Sequence, residues 1–431
     1  MSSYRDTAAT PYLGVVTTPS NAASRRALLL LMRVGAFAAI AVGAARIADT
    51  VAGADARNDF AHYYLSARML LEGENPYTTP LAPRCEALGF EQDPRIPYGA
   101  NPPLLIRSMA CIAWAPPGAA YLAWLLTQVG CLVGLALVLR RLTFQGGDGT
   151  WQLVGLAVLV NSSAVMTHFY YSQVQLPVAL AIAGAVLLRV RGRTASAMAL
   201  ATAAAAFKLY PAVLLPWFLL SGLRGWGDLA KRVAAAAAVG LAALAVTGPE
   251  MWLSFVQEGL PVIQLSVGGS WTNYSLPSLA KMLSGAVAGD LASPPAWSAP
   301  LGKLLGLLAI AAAYGRVLYG GLKPAAEASL LCLAMMAASL VCWSHYFVLA
   351  ALPAAVLTAG ARGRGPRAML VAAPLAVLLL WPELDAATPF FQPLAARVLL
   401  HFYPLAVMGL AAWMIADANS AEIEKKPQYE Q

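Results

Sequence analysis

Apolar stretches of about 15 to 22 residues recur along the chain and alternate with short basic clusters, matching the roughly 20 residues a helix needs to cross a bilayer. Composition agrees, with 59% of the 431 residues hydrophobic and only 12% charged, against about 25% charged in soluble domains. A soluble enzyme is excluded. About twelve spans would use roughly 240 residues, leaving room for two sizeable loops and two tails. The expected fold is all-α, a polytopic integral membrane bundle of about 12 transmembrane helices.

The formal net charge of +8 does not gather on one patch, as a nucleic-acid surface would require. It is spread over loops, where it reads as a topology signal. The first apolar run, Ala27 to Ile47, follows Arg25 and Arg26 and has no evident cleavage site after it, so it should remain as a first helix starting in the cytoplasm. Alternating from there, the inner loops collect Arg140 and Arg141, Arg191 and Arg193, Arg224 with Lys231 and Arg232, Lys323, then Arg362, Arg364 and Arg367. Lys425 and Lys426 follow in the tail. The positive-inside rule then turns the segments 48–117, 167–172, 207–211, 248–298, 342–345 and 382–394 outward. A cytoplasmic tail over 1–26, a transmembrane domain over 27–416 and a second cytoplasmic tail over 417–431 complete the expected organisation. Pro103 to Trp114 is too short to span and must dip into the membrane or lie on its surface for the count to close.

The five cysteines form no CxxC and no ligand-spaced cluster, so neither a disulfide framework nor a zinc site is indicated. No repeat of 20 to 50 residues and no repeat between halves is found, unlike solenoids and inverted-repeat transporters.

Two outer segments are long for a compact membrane protein, and long loops are usually functional. The first, Asp49 to Pro102, holds eight of the 21 acidic residues. The second, Gly248 to Ser298, contains Trp252, Trp271 and Asn273. Within the first, Phe60, Tyr63, Tyr64, Ala67 and Leu71 recur at helical spacing, predicting a short amphipathic helix over Phe60 to Leu71 with Asn58 as its cap and Gly73 beyond its end. Asp59 then lies in the first turn, at the level of the outer interface. Among aromatics a carboxylate is partly desolvated, which suits a general base, but an aspartate in a first turn also simply stabilises the helix dipole. The residue alone leaves both open.

The strings NDFAHYYLSARMLLEGENPY, YGANPPLL, YYSQVQLPVAL, AAAAFKLYPAVLLPWFLL, WTNYSLPSL and WSHYFVLAALP occur in that order from Asn58 to Pro353. Together they resemble glycosyltransferase family 87, the polyprenyl-phosphate-mannose-dependent mannosyltransferases of the GT-C fold. The resemblance implies inverting transfer of a sugar, usually mannose, from a polyprenyl-phosphate carrier to a hydroxyl of a glycolipid or glycan on the outer side of a bacterial inner membrane. It makes Asp59 the general base. A single displacement needs only one carboxylate to take the acceptor proton, so a lone Asp suffices.

The leaving lipid phosphate gains charge in the transition state and needs fixed cations or donors. Lys208 interrupts an apolar stretch and His345 stands at the outer end of a span; both are expected to hold the donor phosphate, with Arg68 as a third. Each has an ordinary alternative: Lys208 snorkelling to the headgroups, His345 satisfied at the interface, and Arg68 pairing with Glu72 at i+4. Expected substrate contacts are Asn58, His62, Tyr63, Tyr64, Asn101, His168, Gln173, Gln175, Trp271 and Asn273. Against these stand an aromatic belt for the rings and interhelical hydrogen bonding for the polar groups. Asn101 replaces the aromatic residue common before Pro-Pro in the family, and Ser172 replaces the usual glycine before the Gln pair. No metal or other cofactor is expected, because Lys and His can neutralise a lipid phosphate. A transporter or lipid flippase is the rival reading, although its ionisable groups should lie near the midplane.

Overall fold

The computed structural model describes residues 19–53, 58–90, 96–143, 149–266, 273–288, 294–360, 402 and 404–415. Every regular element among them is helical. The chain starts with α1 (Pro19–Gly53), three short helices, α2 (Asn58–Leu71), α3 (Ala82–Leu88) and α4 (Pro103–Ala113), and the long α5 (Pro117–Thr143). Next come α6 (Thr150–Val160), α7 (Ser163–Tyr170), α8 (Gln175–Val190), α9 (Thr194–Phe207), α10 (Leu215–Leu220) and α11 (Trp226–Thr247). The series continues with α12 (Pro249–Ser254), α13 (Leu260–Ser266), α14 (Leu276–Ala288), α15 (Ser298–Leu318), α16 (Pro324–Ala338) and α17 (Ala351–Gly360). A last described helix covers Pro404–Ile415.

Four helices, α1, α5, α11 and α15, are long and apolar enough to cross a membrane, and α6 with α7, bent by 45°, makes a fifth if the pair is one span. Their leucines at 28, 30 and 31 and at 304, 307 and 308 stay exposed in the isolated protein, as lipid-facing side chains do. The described residues thus contain fewer full-length spans than the expected twelve. The reason is local: α8, α9 and α16 are apolar but only 16, 14 and 15 residues long, and α9 stops where Lys208 turns extended (φ −148°, ψ 129°). A 3₁₀ turn, Tyr210–Leu214, separates that break from α10. Trp271, His401, Arg362, Arg364, Arg367, the 382–394 segment and the 417–431 tail lie outside the described residues, as does the start of the first tail.

The described residues pack around two apolar cores. The larger is built from α5, α7, α8, α9, α16 and the Ser344–Ala350 3₁₀ helix; the smaller is formed by α2, α3 and α4 with Tyr77, Trp124 and Phe255. Phe207 packs against both, so the helix break at Lys208 falls on the seam between them.

Helix α2 begins at Asn58, holds Asp59 in its first turn and ends before Gly73, whose φ of +82° suits glycine. It is not amphipathic as predicted. Phe60 through Ala67 are all buried, as is Met69, while Leu71 is 47% exposed. Packing against α3, α4 and α5 encloses nearly the whole helix. Its C-terminal end is tied by Arg84, which bridges Glu72 (2.5 Å) and Glu74 (2.6 Å), while Arg68 pairs with Glu72 at 3.0 Å. These guanidinium groups, Arg84 first and Arg68 second, hold the Glu72 carboxyl below the ordinary carboxylate range.

Close approach elsewhere relies on small residues. A Cβ on Gly302 of α15 would stand 2.6 Å from Pro277 Cα, and one on Gly306 would stand 3.1 Å from the Ala338 carbonyl oxygen. Only glycine lets α15 sit this near α14 and α16. At the far end of α10, fully buried Arg232 donates to the carbonyls of Phe218, Leu219 and Ser221 and to Asp228, satisfying carbonyls that a helix end leaves open.

Candidate active site

The first turn of α2 presents Asp59 to the turn between α7 and α8. There the Gln173 amide nitrogen donates to Asp59 Oδ2, while Gln173 Oε1 accepts from the Tyr63 hydroxyl at 3.2 Å. One glutamine therefore orients the carboxylate and is itself held by the residue one helical turn further along α2. Gln173 reaches this position because Ser172 adopts a left-handed backbone (φ 53°) and its carbonyl accepts from Trp124 Nε1 at 3.1 Å. That conformation explains why a glycine would be at home here.

Lys208 approaches from the seam. Its ammonium donates to Asn101 Oδ1 at 3.2 Å, and the Asn101 carbonyl accepts from the buried Tyr77 hydroxyl at 2.6 Å. Asp59 lies within electrostatic reach of Lys208, and Lys208 within reach of His345. Lys208 thus interacts electrostatically with both Asp59 and His345, although the three are far apart in the chain. A carboxylate and an ammonium so arranged can take a proton from one ligand and offset negative charge on another.

His345 belongs to the 3₁₀ helix Ser344–Ala350 and is 3% exposed. Its ring is surrounded by Tyr346 (5.2 Å between ring centres), Tyr171 (6.1 Å) and Trp343 (6.1 Å). The segment carrying it is anchored by Asn273, which donates to the Leu340 carbonyl and accepts from the Cys342 amide, both at 2.8 Å. Tyr274 reinforces this join with a 2.7 Å backbone bond to Cys342.

Several expected contacts take other partners. Asn273 is 1% exposed and its amide is committed to backbone, so it positions the His345 segment. Asn101 likewise tethers Lys208. His168 is fully buried, with Nε2 on Gln128 Oε1 at 2.9 Å, an interhelical bond, although the histidine lies within electrostatic reach of His345. Arg68 is engaged by Glu72 and the Ala113 carbonyl, and Tyr64 donates to the Ala115 carbonyl. These two bond to Glu72 and to the end of α4 rather than to the Asp59 group. His62 is buried beside them in sequence, and Gln175 is fully buried next to the Tyr346 hydroxyl. Asn58 starts α2.

Two neighbours were not anticipated. Tyr210 and Tyr346 pack at 5.3 Å, and both lie with Asp59 within electrostatic reach of the Tyr63 hydroxyl. Their signal was present, since Tyr210 stands two residues after Lys208 and Tyr346 directly follows His345, but tyrosines in a membrane chain are commonly interfacial. Among the described residues, no group of three or more His, Cys, Asp or Glu is placed to hold a metal ion.

The sequence model of glycosyltransferase family 87 matches residues 100–344, more than half of the chain. No curated protein and no solved structure matches it.

Proposed function

The chain belongs to glycosyltransferase family 87, and from that premise we propose that it is a GT-C-type enzyme moving mannose from a polyprenyl-phosphate carrier to a hydroxyl of a glycolipid or glycan. The transfer takes place on the outer side of a bacterial inner membrane, in a bundle of about twelve spans. Asp59 is the general base. Its carboxylate takes the acceptor hydroxyl proton as the acceptor oxygen bonds to the sugar's anomeric carbon; the bond from that carbon to the phosphate oxygen breaks, and its electron pair leaves with polyprenyl phosphate. One displacement inverts the anomeric centre. Lys208 and His345 offset the charge growing on the departing phosphate.

The observation that supports this reading is the electrostatic interaction of Lys208, which follows Phe207 at the seam between the two cores, with both Asp59 and His345. A base opposite a cation suits displacement at a phosphorylated sugar. Incubating the purified enzyme with a panel of polyprenyl-phosphate sugars, differing in sugar alone, tests it. Asp59-dependent release of polyprenyl phosphate from the mannose donor is expected, and release from none of the panel would refute the donor class.

A further inference from the structure

Buried polar atoms almost always find a hydrogen-bond partner, because leaving one unpaired forfeits its interaction with water for nothing. Around the Asp59 group that rule is broken more than once. The Tyr210 hydroxyl, the Trp343 indole N–H and His345 Nδ1 are all buried without a hydrogen-bond partner among the described residues. They are linked by a run of rings: Trp343 to His345 at 6.1 Å, His345 to Tyr346 at 5.2 Å, and Tyr346 to Tyr210 at 5.3 Å. The run is rigidly held. Asn273 clamps the backbone just before Trp343, and Tyr210 opens the 3₁₀ turn after the helix break at Lys208.

Aromatic faces beside unspent neutral donors and acceptors are the chemistry that recognises a sugar ring, whose carbon-bound hydrogens stack on rings and whose hydroxyls need directional partners. A phosphate alone would be served by Lys208 and would gain little from stacking. Resting on the donor-dependent transfer proposed above, we infer that the Tyr210 hydroxyl and the Trp343 indole N–H read the ring hydroxyls of the transferred sugar. The aromatic run seats its face, and the donor's phosphate lies toward Lys208.

Tyr210→Phe removes one oxygen and leaves the ring in place. Were that hydroxyl a structural bond, its loss would lower the thermal midpoint of the detergent-solubilised protein. As an unpaired group read only by the sugar, its loss leaves the midpoint unchanged or raised. The expected kinetic result for Tyr210→Phe, and for Trp343→Phe, is a fall in donor kcat/KM of roughly fivefold or more. Competitive inhibition by sugar-free polyprenyl phosphate should stay within about twofold of wild type, since that ligand lacks the group being read. Unchanged kcat/KM, an equal weakening of polyprenyl phosphate, or a lowered thermal midpoint for Tyr210→Phe would each overturn the inference. Asp59→Asn run in parallel separates the two levels. If Asp59→Asn is inactive and both aromatic variants match wild type, the sugar assignment alone is wrong; if Asp59→Asn is active, the underlying transfer mechanism is wrong.

Discussion

The Lys208 ammonium is held by Asn101, its Nζ donating to Asn101 Oδ1 at 3.2 Å across 107 residues of sequence. Asn101 is fixed in turn through its own carbonyl by Tyr77. The cation therefore has a protein partner for its position. It is presented toward Asp59 by a chain of two hydrogen bonds from the smaller core.

Asn101→Ala should release Lys208 and lower donor kcat/KM by about tenfold, the scale of one bond to a charged group. Asn101→Asp should be at least as damaging, because a carboxylate there competes with the donor phosphate for the ammonium. Steady-state kinetics against donor concentration measure both. An Asn101→Asp enzyme faster than wild type would show that Lys208 does not serve the phosphate.

Gln173 joins Asp59 to Tyr63. Gln173→Ala removes that orientation and is expected to reduce kcat. Gln173→Glu goes further, since two facing carboxylates disfavour each other's ionised form. Its transfer rate at neutral pH should fall below that of Gln173→Ala and recover as pH rises. A pH–rate profile for Gln173→Glu superimposable on that of wild type would contradict this pairing.

Much of the site was legible because charge is scarce. Asp59, Lys208 and His345 each interrupt apolar or aromatic surroundings, and such interruptions are costly enough to require a reason. The roles of Asn101, Asn273 and His168 were not legible. An amide or imidazole looks the same in sequence whether it recognises a ligand or bonds to a segment far along the chain. Likewise, the spacing of Phe60, Tyr63, Tyr64 and Ala67 correctly predicted a helix but not its enclosure, which comes from packing with α4 and α5. Among the described residues, short helices such as α8, α9 and α16 are apolar without reaching full-span length. Hydropathy registers apolar content, whereas the extended backbone at Lys208 emerges only in three dimensions.

Ser172 occupies a left-handed conformation that disfavours side chains by about 1–2 kcal/mol. Ser172→Gly removes that strain but adds freedom to the unfolded chain, so stability should stay within about 1 kcal/mol of wild type. Ser172→Val should lose about 1–2 kcal/mol, because a β-branched residue tolerates this region poorly. Unfolding in detergent compares the two, and a Val variant as stable as the Gly variant would refute the backbone assignment.

Acid should loosen the C-terminal end of α2. The folded-state pKa of Glu72 is lowered by Arg84 and Arg68, so its contribution is present above the unfolded carboxylate value of about 4.3 and is lost as pH falls through the lower folded value. The effect is small because the pair is exposed to solvent. Glu72→Gln should flatten the acid limb of thermal stability, and an unaltered limb would show that this ion pair does not contribute.

In the proposed transfer, Asp59 takes the acceptor proton. The most direct measurement is polyprenyl-phosphate release by purified, folded Asp59→Asn enzyme supplied with mannose donor and acceptor. Asn keeps the size and hydrogen-bonding capacity of the side chain but not its basicity, so transfer should be abolished while thermal stability and membrane insertion persist. Turnover at the wild-type rate would remove Asp59 from the mechanism.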